Sequence, residues 1–456
     1  MRKIEKRAAV CLLLVLALLL GSGFFAFRFV AYGGKWVSFA ANRHLYNSTG
    51  QLAVGRVLDR DGDVLSCVNA DGQRLYYENP DVRRATLHAV GDPAGNIGTG
   101  ALVAFADQLS GYNLLTGTYS PLGAGNDLYL TIDARLNYTA HRAMNGRKGT
   151  VAVYNYNTGE VLCMYSAPTF DPADPPGIQD GDERYDGVYV NRFLSALYPP
   201  GSVFKLVTLA AALENLPELE SRTFTCTGAT QVGGETITCT APHGELNAES
   251  ALACSCNGFF AQLASELGPD VLASYAKKAG LTSSYNVSGL STARGSFDFT
   301  GATVGQVGWA GVGQYNDLVN PCAMLVYMGA IARGRDAAVP QLVLKTQSAL
   351  DLPLSFYLKK KTGTLIRADT AKQVTAMMSN NVQATYGADR FPNMDVCAKS
   401  GTAEVGGGKA PNAWFAGFLR NASTPYAFVV LVENGGSGSD VAGSVAARVL
   451  NTLVNG

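Results

Sequence analysis

Three short groups of polar residues in this 456-residue chain combine a hydroxyl with an amine or amide at spacings that can do chemistry. In Ser202-Val203-Phe204-Lys205 the serine and lysine are three apart at the start of an apolar run, so a helix would put both on one face. The preceding Tyr198-Pro199-Pro200-Gly201 reads as a rigid turn that places Ser202 in the first helical turn. Unpaired backbone N–H groups there favour an oxygen as it becomes anionic. A lysine so placed can accept the hydroxyl proton once burial and a second cation make it neutral. Ser255-Cys256-Asn257 lies between two apolar helical stretches; its serine can relay a proton and its amide can hold a substrate amide from both sides. Lys399-Ser400-Gly401-Thr402 follows the apolar lead-in Val396-Cys397-Ala398 of a strand. Gly401 lets a substrate backbone lie against the strand edge, and the hydroxyls of Ser400 and Thr402 beside Lys399 suit a carboxylate. Each group alone is also an ordinary helix cap or a sheet-edge lysine.

The elements that must position these groups are legible around them. Leu128 to Ile132 is strand-like, and Asp133 is placed to cap a helix from Ala134 to about Met144. Thr150–Tyr156 and Glu160–Ser166 read as a hairpin closed by Asn157-Thr158-Gly159. Met394–Val405, Ala413–Arg420 and Tyr426–Glu433 read as an antiparallel meander, followed by a helix from Asp440 to Val454 capped by Ser439 or Asp440. Strands, a long helical middle, then strands and a helix imply an α+β fold, with one antiparallel sheet assembled from both chain ends and flanked by helices. Upstream, Gly55 to Leu65 reads as strand, Asp61-Gly62 turn, strand, and Gly91 to Gly100 as a loop.

Charge balances at zero, with 36 basic and 36 acidic residues, so no basic excess points to nucleic acid. Ala8 to Phe27 is a 20-residue uncharged stretch behind Arg2, Lys3, Lys6 and Arg7. That length crosses a hydrocarbon core of about 30 Å, and the basic flank keeps the N-terminus cytoplasmic. Gly21, Ser22 and Gly23 would also fit a cleavable signal peptide, but the apolar character continues through Phe24, Phe25 and Phe27, as in an anchor. The expected organisation is a cytoplasmic tail over 1–7, a transmembrane anchor over 8–27, a β-rich pedestal over 28–127 and a catalytic domain over 128–456.

Nine cysteines include Cys11 within the anchor, and the rest would sit in a disulfide-permissive compartment. They form no two CxxC pairs, and His243 stands at no usual ligand spacing from Cys254 and Cys256, which argues against a metal site. Cys226 and Cys239 bracket a segment whose Gly233-Gly234 can reverse the chain. A ribbon of Thr223–Cys226 with Thr236–Thr240 would bring them within disulfide range, closing the loop for about 3 kcal/mol; two buried free thiols are the alternative.

The order Ser-x-x-Lys, Ser-x-Asn, Lys-Ser-Gly resembles the signature of penicillin-binding proteins and serine β-lactamases. The likeness to class B penicillin-binding proteins extends further. Arg56 to Gly62 resembles their opening Arg-x-Ile-x-Asp-Arg-x-Gly, Asn157 to Met164 their first catalytic hairpin, and Pro168 to Pro172 the segment after it. Gly313-Gln314 with Asn320-Pro321 and Trp414 to Gly417 resemble two further family stretches. Ser400 and Asn320 replace the commoner Thr, and cysteines flank Ser255 on both sides.

This resemblance implies a D,D-transpeptidase that cross-links peptidoglycan stem peptides and is acylated by β-lactam antibiotics. It makes Ser202 the nucleophile, Lys205 the base, Ser255 and Lys399 the proton path to the leaving D-Ala, and Asn257 the residue that orients the donor peptide. Ser400, Gly401 and Thr402 would bind substrate, with the N–H groups of Ser202 and Thr402 as oxyanion hole. No metal or organic cofactor is called for. The first segment is too short for a glycosyltransferase, so the family implies a multi-span membrane glycan polymerase as partner, at the bacterial cell membrane with the catalytic domain outside. A class A β-lactamase would need a Glu on a loop after the Ser-x-Asn box, whereas the Glu245-Leu246-Asn247 run precedes it. A D,D-carboxypeptidase and a non-catalytic β-lactam sensor or scaffold remain the alternatives.

Overall fold

A computed structural model describes residues 2–37, 54–69, 71–110, 125–348, 350–356 and 358–456. Parts of the expected pedestal, 38–53, 70 and 111–124, therefore lie outside the described residues.

The central sheet has five strands, β1 (Gly149–Asn155), β2 (Val161–Ala167), β3 (Val396–Ala403), β4 (Asn412–Leu419) and β5 (Tyr426–Val432). Their order is β3-β4-β5-β1-β2, antiparallel throughout. The hairpin and the meander stand within two residues of the expected strand ends, and β5 against β1 joins them. Every residue of β2 and β4 is buried, so both faces are covered and the strands read as unbroken apolar runs. Alternate side chains separate into two cores. Val151, Val153, Phe415, Val430 and Val432 pack with α1 (Ala134–Met144) and the closing helix Gly443–Asn455. Ala152, Tyr154, Trp414, Ala416, Val429 and Leu431 face a larger core. That core takes in α2 (Lys205–Asn215), α3 (Ala248–Ala253), α4 (Asn257–Lys278) and α5 (Pro321–Arg333). Removing a side chain of this size from water contributes roughly 1.5–3 kcal/mol, so the sheet is the chief anchor of everything attached to it.

Local signals explain the helix ends. Asp133 caps α1, its carboxylate accepting the Leu136 N–H at 2.9 Å, as the sequence predicts. Asn320 caps α5, accepting from Cys322 N, while its Nδ2 donates to Ala196 O at 2.9 Å. The closing helix differs: a π turn, Gly438–Ala442, precedes it, and Ser437 rather than Ser439 or Asp440 is the cap, accepting from Asp440 N. The wider π turn starts the coil earlier than α periodicity implies.

A second sheet gathers the first segment. Val57–Leu58 pairs with Val64–Val68 across the expected Asp61-Gly62 turn, where the Asp59 carboxylate accepts the N–H groups of Asp61 and Asp63. Asp127–Leu130 runs parallel to Val57–Leu58 and antiparallel to Val343–Gln347, so this sheet also takes in chain from beyond residue 128. Arg60 pairs with Glu160 at 3.2 Å, tying it to the β1–β2 hairpin. The helix Arg2–Val37 contains, over Lys3–Phe29, a stretch long and apolar enough to cross a membrane, with none of it buried.

Candidate active site

Ser202 sits on a 3₁₀ turn, Gly201–Phe204, that runs directly into α2. The turn is backed closely on two sides. Gly201 has φ +54°, and a Cβ there would lie 2.7 Å from Thr402 O. Gly201 N donates to Gly313 O at 2.8 Å, and a Cβ on Gly313 would meet Gly201 O at 2.0 Å. Both positions need glycine. The Tyr-Pro-Pro-Gly stretch is pinned to the sheet: Trp414 Nε1 donates to Pro199 O at 3.0 Å, and the Tyr198 hydroxyl donates to Glu433 Oε1 at 2.6 Å. The same carboxylate oxygen accepts from Arg192 Nε at 2.6 Å. The Ser202 hydroxyl has no hydrogen-bond partner among the described residues and lines a cleft of about 340 Å³.

Behind Ser202 two lysines are fully buried. Lys205 Nζ hydrogen-bonds Ser255 O and Asn257 Oδ1, each at 2.7 Å, and Ser255 Oγ at 3.1 Å. Lys399 Nζ hydrogen-bonds Ser400 O at 2.9 Å and Ser255 Oγ at 3.0 Å. Burial, and secondarily the neighbouring Lys399, holds the Lys205 amine well below the usual lysine range. Burial pushes Lys399 down to about 7. A neutral Lys205 has two N–H groups, which match the two oxygen acceptors at 2.7 Å and leave its lone pair for a hydroxyl proton. Ser255 stands at φ +57°, a conformation costly for a residue with a side chain and concentrated at functional sites. It arises where the short α3 ends and α4 begins, with Cys256 as N-cap.

Lys399, Ser400, Gly401 and Thr402 lie on β3, the edge strand of the sheet on the cleft side. Strand alternation buries Lys399 and Gly401 and turns Ser400 and the exposed Thr402 towards the cleft. Ser255, Asn257, Thr238, Trp309 and Gln314 form further walls. All eight expected catalytic and substrate-binding residues thus meet at one place. Sequence reasoning missed two neighbours. Tyr386, on a π turn after Asn381, donates its hydroxyl to Ser400 Oγ at 3.0 Å and accepts from Ser400 N at 2.9 Å. Glu404 lines the cleft two residues past the third box. No motif marks Tyr386; the adjacency of Glu404 to the box was the one available signal for the other.

The cysteine expectation needs correction. The hairpin is Ala229–Val232 with Glu235–Thr238, turning at Gly233-Gly234, whereas Phe224–Cys226 pairs with Gly244–Leu246. Cys226 and Cys239 are free thiols with sulfurs 3.8 Å apart, well beyond a bond of about 2.05 Å. Gly233-Gly234 turn the chain as expected, but the strand partner of Cys226 comes from further along the chain.

A serine hydroxyl on the cleft, beside two buried lysine amines that share Ser255 Oγ on a helix-flanked antiparallel sheet, is an arrangement suited to acyl transfer through a serine. Residues 149–454 match the penicillin-binding protein transpeptidase domain. The chain belongs to that family. It is 27% identical to the peptidoglycan D,D-transpeptidase PbpA of Mycobacterium tuberculosis over 361 residues, 72% of each chain. To MrdA of Escherichia coli it is 26% identical over 381 residues, covering 74% of this chain and 59% of that one. Among solved structures, the D,D-transpeptidase domain of a peptidoglycan glycosyltransferase from Eggerthella lenta superposes with TM-score 0.77 at 28% identity, covering 88% and 98% of the two chains. The ceftriaxone acyl-enzyme complex of M. tuberculosis penicillin-binding protein A shares the fold with TM-score 0.78 at 24% identity, covering 88% and 98%.

Proposed function

We propose that this chain cross-links peptidoglycan as a serine D,D-transpeptidase and that β-lactams acylate the same Ser202. The observation carrying this reading is the Ser255 hydroxyl shared by two buried lysine amines beside the cleft that Ser202 lines. The names of the relatives PbpA and MrdA, both peptidoglycan D,D-transpeptidases, support it.

Ser202 Oγ attacks the carbonyl carbon of the penultimate D-Ala of a stem peptide, and its proton passes to neutral Lys205. Collapse of the tetrahedral adduct breaks the peptide bond, and the leaving D-Ala nitrogen takes a proton delivered through Ser255 and Lys399. An amine of a second stem peptide then attacks the ester, gives up its proton along the same path and frees Ser202. The N–H groups of Ser202 and Thr402 stabilise the oxyanion. Ser400 and Thr402 take the terminal carboxylate, Asn257 orients the donor, and the open edge of β3 at Gly401 accepts its extended backbone.

Residues 8–27, within the apolar Lys3–Phe29 stretch, serve as a single-pass anchor, the 28–127 segment as pedestal to a catalytic domain over 128–456, and a multi-span membrane glycan polymerase supplies the strands. Incubation with donor and acceptor peptides tests the reaction. Cross-linked product supports transpeptidation; hydrolysed donor alone would make it a D,D-carboxypeptidase, and penicillin binding without peptide turnover a sensor. Fractionation tests the anchor: a soluble mature protein beginning near Phe24 would reject it.

A further inference from the structure

Four side chains with metal-ligand chemistry converge outside the acyl-transfer machinery. Cys226, Cys239, His243 and Cys256 each present a donor atom, and the four atoms lie within 4.8 Å of one another. Cys226 ends the Phe224–Cys226 strand, and Cys239 follows the Glu235–Thr238 strand. His243 leads into Gly244–Leu246, and Cys256 is the N-cap of α4. We propose that these residues form a tetrahedral Cys₃His zinc site.

Three of the six donor spacings are those an ion would impose, and the others lie within 4.8 Å. Zn–S bonds of about 2.3 Å and Zn–N bonds of about 2.0–2.1 Å set S···S near 3.8 Å and S···N near 3.5 Å in a tetrahedron. Here Cys226 and Cys239 sulfurs are 3.8 Å apart, those of Cys239 and Cys256 3.7 Å, and Cys226 Sγ is 3.4 Å from His243 Nδ1. Backbone N–H groups at the start of α4 support two of the sulfurs: Gly258 N donates to Cys239 Sγ and Phe259 N to Cys256 Sγ, both at 3.5 Å. Such donors stabilise thiolates and orient metal ligands. Three soft thiolates with one imidazole select zinc over calcium, magnesium or manganese. Four protein ligands close the coordination sphere, so the ion is structural and the thiols release their protons as it binds.

The segment needs such a staple. Residues 224–246 form two separate two-stranded ribbons with strands of three or four residues, and ribbons of that size are marginal in water. Zinc ties both ribbons to Cys256, the middle residue of Ser255-Cys256-Asn257, and so holds the cleft wall in which Thr238 O accepts from Asn257 Nδ2 at 2.8 Å.

The full-length chain, purified in detergent without a polyhistidine tag or chelator, should carry about one zinc per chain by mass spectrometry. Cys239→Ser and His243→Ala should reduce zinc to below about a fifth of that, and Cys254→Ser, whose sulfur lies outside the cluster, should retain it. Because the ligand variants could fail to fold, wild-type protein stripped of metal and reloaded with Co²⁺ provides a second measurement. Thiolate-to-cobalt charge-transfer bands with strong tetrahedral visible bands are expected, bleached by added Zn²⁺. Reduced wild-type protein that takes up neither Zn²⁺ nor Co²⁺, or a Cys226–Cys239 disulfide in protein purified without reductant, would overturn the site.

Discussion

Lys205 and Lys399 reach the same oxygen: Ser255 Oγ lies 3.1 Å from one Nζ and 3.0 Å from the other. With both amines buried and close, each disfavours the charge of its neighbour, so one proton is more easily held between them than two. On the proposed mechanism the hydroxyl between them is the path along which that proton moves.

Fluorescent penicillin should label Ser202, and Ser202→Ala should abolish labelling. Lys205→Ala removes the base but not the turn, so acylation should slow by about 10²–10⁴-fold with the fold retained. Undiminished labelling in the serine variant would refute the nucleophile.

The acylation rate should trace a bell against pH. Its acid limb is the protonation of Lys205, whose amine burial keeps well below the usual range. Its alkaline limb reflects loss of the Lys399 proton, which burial sets at about 7. The limbs belong to the coupled pair and shift together. A rate that is flat between about pH 6 and 9 would exclude the pair as proton carrier.

Stability should depend on the same lysine in the opposite sense to activity. Lys399 titrates at about 7 in the fold against an ordinary value of 10.5, so between these values the unfolded chain binds the extra proton. Its burial therefore destabilises the fold fully below about 7, and the penalty fades as pH rises to about 10.5. Lys399→Met should raise the unfolding midpoint at pH 7, and the gain should shrink towards pH 10, while acylation is lost. A gain that grows with pH would contradict the burial argument.

Glu433→Gln should destabilise the chain by about 3–5 kcal/mol, because it leaves Arg192 buried without its charge partner. It also weakens the acceptor for Tyr198, so penicillin acylation should fall even where the variant remains folded. Denaturant unfolding and labelling measure the two effects separately.

Tyr386→Phe should cost about 1–2 kcal/mol in the transition state, a 5–30-fold fall in kcat/KM, with little change in unfolding midpoint. It deletes the hydroxyl that fixes both N and Oγ of Ser400. An unchanged kcat/KM would remove Tyr386 from the positioning of the third box.

Local chemistry made much of this molecule legible. Asp133 as a cap, the Asp61-Gly62 turn and the strand runs of β1 to β5 depend on neighbours in the chain, and they stand where the sequence places them. The three boxes were equally visible, because each needs only a few adjacent residue types. What eluded the sequence depends on contact between distant segments. Cys226 finds Gly244 rather than Cys239 as strand partner, Tyr386 reaches Ser400 across a π turn, and Cys256 meets Cys239 only because α4 starts where the hairpin ends. Cys239-x-x-x-His243 carried the one local hint of the cluster, and it depended on a third sulfur from the Ser-x-Asn box to have meaning.

The junction of β1 with β5 has a consequence for how the enzyme comes into being. A chain synthesised from its N-terminus presents Ser202 and Lys205 about 195 residues before Lys399 exists, and the middle of the sheet stays open until the meander arrives. On the proposed mechanism, a nascent chain halted short of residue 396 lacks Lys399 and the edge strand beside the cleft, so its Ser202 should not be acylated, whatever its helices have done. Covalent capture by an antibiotic therefore times the docking of the last strands, and a labelled band on a gel becomes a clock for the completion of folding.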